Sequence, residues 1–408
     1  LQFLLKRLEI ETMLARAAGI TSILFLYSVS SAFQARASSE SVIYSFKGGN
    51  DGEAPIAGLI SVAGKLYGTT AGGGGKGCGG NGCGTVFAST PAGAEHVLHV
   101  FKGGADGAAP NAPVIEAKSL LYGTTTAGGG YPCHSSSGDG DCGTVFSLTL
   151  AGKEAVLHAF GKGKDGATPG GPLIYTGGAL FGTTQGGGVA GNGVVFKLGL
   201  GGKEAIIHSF TGGPSDGAEP NGGVVNVKGT LFGTTATGGK NSCADGDSCG
   251  TVFSISPSYE ENVLYSFQGG KDGFDPNAAL INVGGLLYGT TFLGGFVPGA
   301  GYGTVFAVTQ SGAEVALHRF GTDGVEPLAP LLDFRDEFYG TTPYGGDYAQ
   351  GEIYKVTAAG HFTVLYSFKG GADGAYPTCG LLNVGGVLYG TTSFGGAHGV
   401  GTIFKYVP

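Results

Sequence analysis

The side chains equipped for chemistry occupy repeated places in this 408-residue chain, and repetition restricts what they can do. His99, His158, His208 and His318 each stand two residues before a phenylalanine, and Tyr44, Tyr265 and Tyr366 fill the same place elsewhere. Equivalent positions of successive repeats lie apart, so the four imidazoles are not expected to meet at one ion; they read as packing residues with a polar edge. After each such run come Asp-Gly and then a proline, at Asp51, Asp106, Asp165, Asp216, Asp272, Asp323 and Asp373. Calcium is one reading of these aspartates and a turn braced by the Asp side chain is the other; no loop has the dense acidic spacing of an EF-hand, so the turn is expected. Six of the seven cysteines form close pairs, Cys78 with Cys83, Cys133 with Cys142 and Cys243 with Cys249. Local disulfides are expected, each worth roughly 2 kcal/mol; zinc is the alternative, with His134 as the one further ligand nearby. Cys379 stands where other repeats have alanine or glycine and reads as a small buried residue rather than a nucleophile.

Where copies differ, specific function is more readable. Thr85, Thr144, Thr251, Thr304 and Thr402 share one repeat position with Val194, but Glu352 puts a carboxylate there. A buried unpaired carboxylate is costly, so Glu352 is expected to face water or to have a specific partner. Around it in sequence gather Phe296, Tyr302, Tyr344, Asp347, Tyr348, Tyr376, Phe394 and His398. Aromatic rings beside carboxylates suit stacking on sugars with hydrogen bonds to hydroxyls, or a protein hot spot. These nine residues are the expected ligand site, for a glycan or an extracellular protein, without catalysis, cofactor or metal. The alternative is a lyase or hydrolase using His398 or His134 with Glu352 and a divalent ion.

The elements that position these groups come from one repeat. An aromatic residue followed by Gly-Thr-Thr recurs at Tyr67, Tyr122, Phe181, Phe232, Tyr288, Tyr339 and Tyr389, at spacings of 50 to 59 residues. That is the range of a propeller blade. Each repeat holds four short apolar runs, a to d, separated by turn residues: Leu-Ile-x-Val, Leu-Tyr-Gly-Thr-Thr, Gly-Thr-Val-Phe, and a run ending in His/Tyr-x-Phe. The repeats begin with a lone d run, Ser41 to Phe46, and end with a lone c run, Gly401 to Tyr406. Glu40 aligns the first of these, because a glutamate also precedes the last Phe of run d by six residues at 95, 154, 204, 261 and 314. The two ends complete one blade, which predicts an all-β, seven-bladed propeller of four-stranded antiparallel blades closed by an N-terminal outer strand. A parallel β-helix is the competing architecture, but it gives no reason for complementary ends. With alternating strands, the b-to-c and d-to-a loops share one face. It carries the long loops.

One folded domain is expected, the single propeller of residues 38–408, after residues 1–37 as upstream residues plus a signal peptide starting at Met13. Arg16, the apolar run from Ile20 to Val29 and Ala35-Arg36-Ala37 have the order of a secretory leader, with a membrane anchor as the other reading. Without residues 1–37, which carry four basic and two acidic groups, totals of 22 and 30 become 18 and 28, a net charge of −10. That balance opposes nucleic acid and anionic membranes as partners. The mature chain is expected to be secreted or extracytoplasmic, monomeric and free of transmembrane segments.

The combined pattern of Leu-Tyr/Phe-Gly-Thr-Thr, Gly-Thr-Val-Phe, Leu-His/Tyr-x-Phe and Gly-Gly-x-Asp-Gly resembles the Gloeo-Verruco (GloVer) tandem repeat of exported bacterial proteins, across essentially the whole mature chain. The resemblance implies export but carries no activity. A weaker similarity, in strand order and Gly-rich hairpins, is to the seven-bladed lyases that open streptogramin B. No catalytic residue maps across.

Overall fold

The computed structural model describes residues 39–135, 138–161, 164–243, 248–296, 302–321 and 323–408, with 132–135 and 138–141 as backbone only. The expected leader, residues 1–37, lies outside them. Each repeat pairs as its turn residues dictate. In blade 1 the strands Ile60–Val62 (a), Lys65–Thr70 (b), Thr85–Ser89 (c) and Glu95–Val100 (d) are antiparallel neighbours in chain order. Five further blades repeat this, and blade 7 sets Leu382–Val384, Val387–Thr392 and Thr402–Val407 beside the N-terminal strand Ser39–Ser45. The seam pairs Ser39 with Val407 and Glu40 with Tyr406. The molecule is a seven-bladed β-propeller.

The repeated motif is explained by contacts within and between blades. Strand b is buried along its length because blades cover both its faces. Over its glycine lies the same blade's strand-c phenylalanine. A methyl group on Gly68 would come within 2.6 Å of Phe87 Cζ and 2.8 Å of Leu59 Cδ2, so the glycine makes room for the core ring. The first threonine ties blades together: Thr69 donates to the Ala112 carbonyl at 3.2 Å, and Thr391 donates across the seam to Ala57 at 3.1 Å. The second pairs with the strand-c threonine, as in Thr70 with Thr85 at 2.8 Å. Between blades, the last Phe of one strand d meets the strand-c ring of the next edge-to-face, with centroids 5.1 or 5.2 Å apart at all seven junctions.

Cys78–Cys83 and Cys243–Cys249 are disulfides, and Cys142 is disulfide-bonded; the side chain of Cys133 lies outside the described residues, as does that of His134. Cys379 is buried, its sulfur takes the Thr391 amide at 3.0 Å, and burial pushes the thiol up, away from the reactive thiolate. Backbone pairing of each d-to-a loop with the following b-to-c loop, such as Glu53 with Gly72 and Ala375 with Phe394, places both loop sets on one face.

Candidate functional site

Three repeated side chains that look independent along the chain meet at the blade junctions. The strand-d His or Tyr reaches the aspartate of its own d-to-a loop, and strand d of the next blade adds its glutamate. Tyr44 donates to Asp51 at 2.8 Å, Tyr265 to Asp272 at 2.8 Å and Tyr366 to Asp373 at 2.7 Å. His158 and His208 bond Asp165 and Asp216 at 3.0 and 3.2 Å, His318 lies 3.1 Å from Asp323 and His99 lies 3.5 Å from Asp106. The aspartates also brace their turns, as Asp51 does by accepting the Lys47 amide at 2.8 Å, which is the expected role. Burial, and then the facing aspartate, push Glu40 up to about 8 and Glu95, Glu154, Glu204, Glu261 and Glu314 up to about 7, from an ordinary 4.5. At Asp165 burial also pushes the carboxyl up, but hydrogen bonds from His158, Glu204 and the Gly166 amide outweigh it and hold the group below its usual range. Six of the junctions therefore hold, beside the aspartate, a glutamate that keeps its proton well above the usual carboxylate range.

Three junctions, His99–Asp106–Glu154, His158–Asp165–Glu204 and His208–Asp216–Glu261, bring potential metal-ligand atoms within 4.8 Å of one another. The tyrosine junctions build the same contact without a nitrogen ligand, so donating to aspartate is what the position requires. The four histidines stay apart, as expected.

On the long-loop face a second repeated feature sets the surface chemistry. The residue before each loop proline, where left-handed backbone is disfavoured, has φ between 52° and 61°: Ala54, Ala109, Thr168, Glu219, Asp275, Glu326 and Tyr376. Its amide bonds the preceding b-to-c loop, as Ala109 does to the Cys83 carbonyl at 2.9 Å and Tyr376 to Gln350 at 2.9 Å. The fold needs the backbone there and lets the residue type vary from blade to blade. Glu219, Asp275, Glu326 and Tyr376 make one polar arc.

Two recesses divide the residues singled out from sequence. The first, of about 520 Å³, is lined by Phe292, Glu326, Tyr344, Tyr376, Ser393 and Phe394 among others. Tyr376 stands edge-on to Tyr344 at 5.1 Å and to Phe394 at 5.4 Å. Tyr344 is 42% and Phe394 56% exposed, so both rings present surface to solvent. The second recess, of about 590 Å³, holds Asp347, Tyr348 and Glu352, with Asp323 and Lys369. His398 is exposed and lines neither, so Glu352 and His398 are not brought into one recess. Phe296 and Tyr302 are exposed rings flanking residues 297–301, which lie outside the described residues.

Sequence comparison agrees with this architecture: the profile of the Gloeobacter/Verrucomicrobia repeat matches residues 17–245, 131–297 and 244–408. The chain belongs to the Gloeobacter/Verrucomicrobia repeat family. No curated protein matches it. Among solved structures, this repeat protein resembles an ulvan lyase of a polysaccharide lyase family, solved bound to a GlcA(1-4)Rha3S unit, with TM-score 0.51 and 10% identity over 90% of this chain and 96% of the other. A Lactobacillus plantarum protein matches with TM-score 0.51 and 15% identity over 81% and 88%. A puromycin-hydrolysing peptidase of Mycobacterium tuberculosis matches with TM-score 0.51 and 10% identity over 85% of this chain and 52% of its own. At these identities the likeness concerns the fold alone. No helix among the described residues is long and apolar enough to cross a membrane.

Reading the sequence of this family member missed Glu326 and Ser393 as recess residues. The available signal was the variable residue before each loop proline, acidic three times in succession at 219, 275 and 326.

Proposed function

We propose that this repeat protein is an exported, non-catalytic binding module that holds a glycan on its long-loop face, a sugar ring stacking in the aromatic recess of blades 5 to 7. The observation that carries the reading is the edge-to-face set of exposed Tyr344 and Phe394 about half-buried Tyr376, around a recess of about 520 Å³. Flat apolar rings cover the axial C–H face of a sugar, while Glu326 offers a partner for its hydroxyls; Thr378 and Ser393 also line the recess, with their hydroxyls donated to the Ile56 and Tyr376 carbonyls. Disulfides support placement in an oxidising compartment outside the cytoplasm.

The test is a glycan-array screen followed by calorimetric titration of the hits. Phe394→Ala and Tyr344→Ala should each weaken binding about tenfold, equivalent to ~1.4 kcal/mol, with Tm little changed because both rings are half-exposed. A screen without hits, or binding indifferent to both substitutions, would overturn the assignment.

A further inference from the structure

The junction between blades 5 and 6 departs from the other six. Its strand-d position carries Phe362, which stacks flat on His318 with centroids 3.8 Å apart and planes 6° apart, where the other junctions place a glutamate. The carboxylate returns from a different strand, as Glu352 on strand c. Glu352 is 0% exposed, and neither carboxylate oxygen has a hydrogen-bond partner. The side chain runs up between the two loops that roof the junction: a methyl group on Gly324 would lie 2.8 Å from Oε1, and one on Gly346 would lie 3.3 Å from Oε2. It borders the 590 Å³ recess together with Asp323 and Asp347.

Local roles do not account for this carboxylate. Strand-c threonine at the equivalent place pairs with the second threonine of strand b, but Thr342 here makes its bond to the Tyr344 carbonyl at 2.9 Å without Glu352. Asp323 is engaged with the Gly321 amide at 2.7 Å and with His318. Among the described residues Lys369 is the one cation lining the recess, and its charge acts on Glu40, while burial and then the charges of the two aspartates disfavour ionisation of Glu352. Two buried oxygens without donors, in the field of two further carboxylates, call for a cation.

We propose that the Glu352 recess is a divalent-cation site of the calcium class, with both Glu352 oxygens on the ion and Asp323 and Asp347 supplying further charge, directly or through water. The donors are all oxygens, which suits a hard ion; calcium accepts a bidentate glutamate and an irregular set of loop ligands, whereas magnesium demands near-ideal octahedral geometry. Three carboxylates around one open recess fit the weak, millimolar class of calcium site rather than a closed cage. The assignment is independent of the aromatic recess, shares no lining residue with it, and amends the expectation that this chain holds no metal.

Thermal unfolding in excess EDTA and in millimolar CaCl2 tests it, because an ion that binds only the folded state raises Tm. Wild-type protein should gain about 2 °C or more in calcium, and Glu352→Thr, which restores the repeat's usual residue, should lose the gain while matching or exceeding wild type in EDTA. Glu352→Gln keeps the shape without the charge and should likewise lose the response, which covers failure of the threonine variant to fold. Tyr348 and Tyr366 line the recess, and the chain has no tryptophan, so bound terbium should show tyrosine-sensitised emission that calcium quenches. A wild-type Tm indifferent to calcium, an equal calcium response in the Glu352 variants, or stabilisation by amines but not by calcium would overturn the proposal.

Discussion

Tyr354 marks the same blade as an exception in another way. The other six blades place Phe87, Phe146, Phe196, Phe253, Phe306 and Phe404 at its position, all buried without a polar atom. Tyr354 is equally buried, and its hydroxyl has no partner. Its ring keeps the conserved contact, 5.2 Å from Phe320, so the hydroxyl is an addition to an otherwise unchanged core. Removing an unsatisfied buried hydroxyl recovers its desolvation cost without leaving a large cavity. Tyr354→Phe should therefore stabilise the protein by about 1 kcal/mol and raise Tm by about 2 °C, as differential scanning calorimetry would show; a lower Tm would mean that the hydroxyl has a partner in solution. Glu352 was legible in sequence as a departure from threonine. Its two oxygens without partners were not, because they depend on how two loops distant in sequence close over the strand.

At the scale of strands and loops, six of the seven junctions carry the same titrating glutamate. The positions were visible separately: the glutamate as an alignment marker, the histidine or tyrosine as a packing residue, the aspartate as a turn. Their convergence was not visible, since it joins strand d of one blade to strand d of the next, some 40 to 60 residues apart or, for Glu40 with Tyr366 and Asp373, more than 300. The pH consequence follows from proton counting. Six glutamates with folded-state values raised to about 7 or 8 bind more protons folded than unfolded from 4.5 upward. The stability they contribute is full below 4.5 and is lost as the pH climbs through about 7 to 8. His99 and His318, lowered by burial, act oppositely and lose stability as the pH falls below 6.5, but they are two groups against six. Asp216, held low by His208 and Thr211 against the upward push of burial, matters only in stronger acid. Tm should therefore fall from about pH 5 to about pH 8.5. Glu204→Gln, which keeps a neutral donor beside Asp165, should flatten that slope; a Tm that rises over the same interval would show that these glutamates are ionised in the folded protein.

For the whole molecule, the question is whether the ring is closed by chemistry equal to that of its other joints. Strand Ser39–Ser45, with Phe46 directly after it, supplies the outer edge of blade 7 and contributes to the junctions on both sides of that blade. Phe46 meets Phe87 of blade 1 at 5.1 Å, the same contact found at every junction, and Tyr44 holds Asp51 at 2.8 Å. Glu40 faces Asp373 from blade 6. This much of the closure was legible, because complementary ends of a repeat can be read from order alone, whereas the equality of the contacts needed coordinates. Deleting residues 39–46 would expose the ladder of Thr402–Val407 and remove a fully buried phenylalanine, a class of loss worth about 3–5 kcal/mol by itself, so that protein should unfold at a much lower temperature or aggregate. Circular permutation supplies the complementary arm. Val407 and Ser39 are already paired neighbours, so joining the ends by a four-residue turn copied from Leu150 to Lys153 and reopening the chain within that turn of blade 2 moves the seam without deleting a junction. If the seam is one joint like its neighbours, the permutant keeps its Tm within a few degrees while the deletion does not. A deletion variant with wild-type Tm, or a permutant that collapses although all strands are present, would show that the seam does not hold as the ring's other joints do.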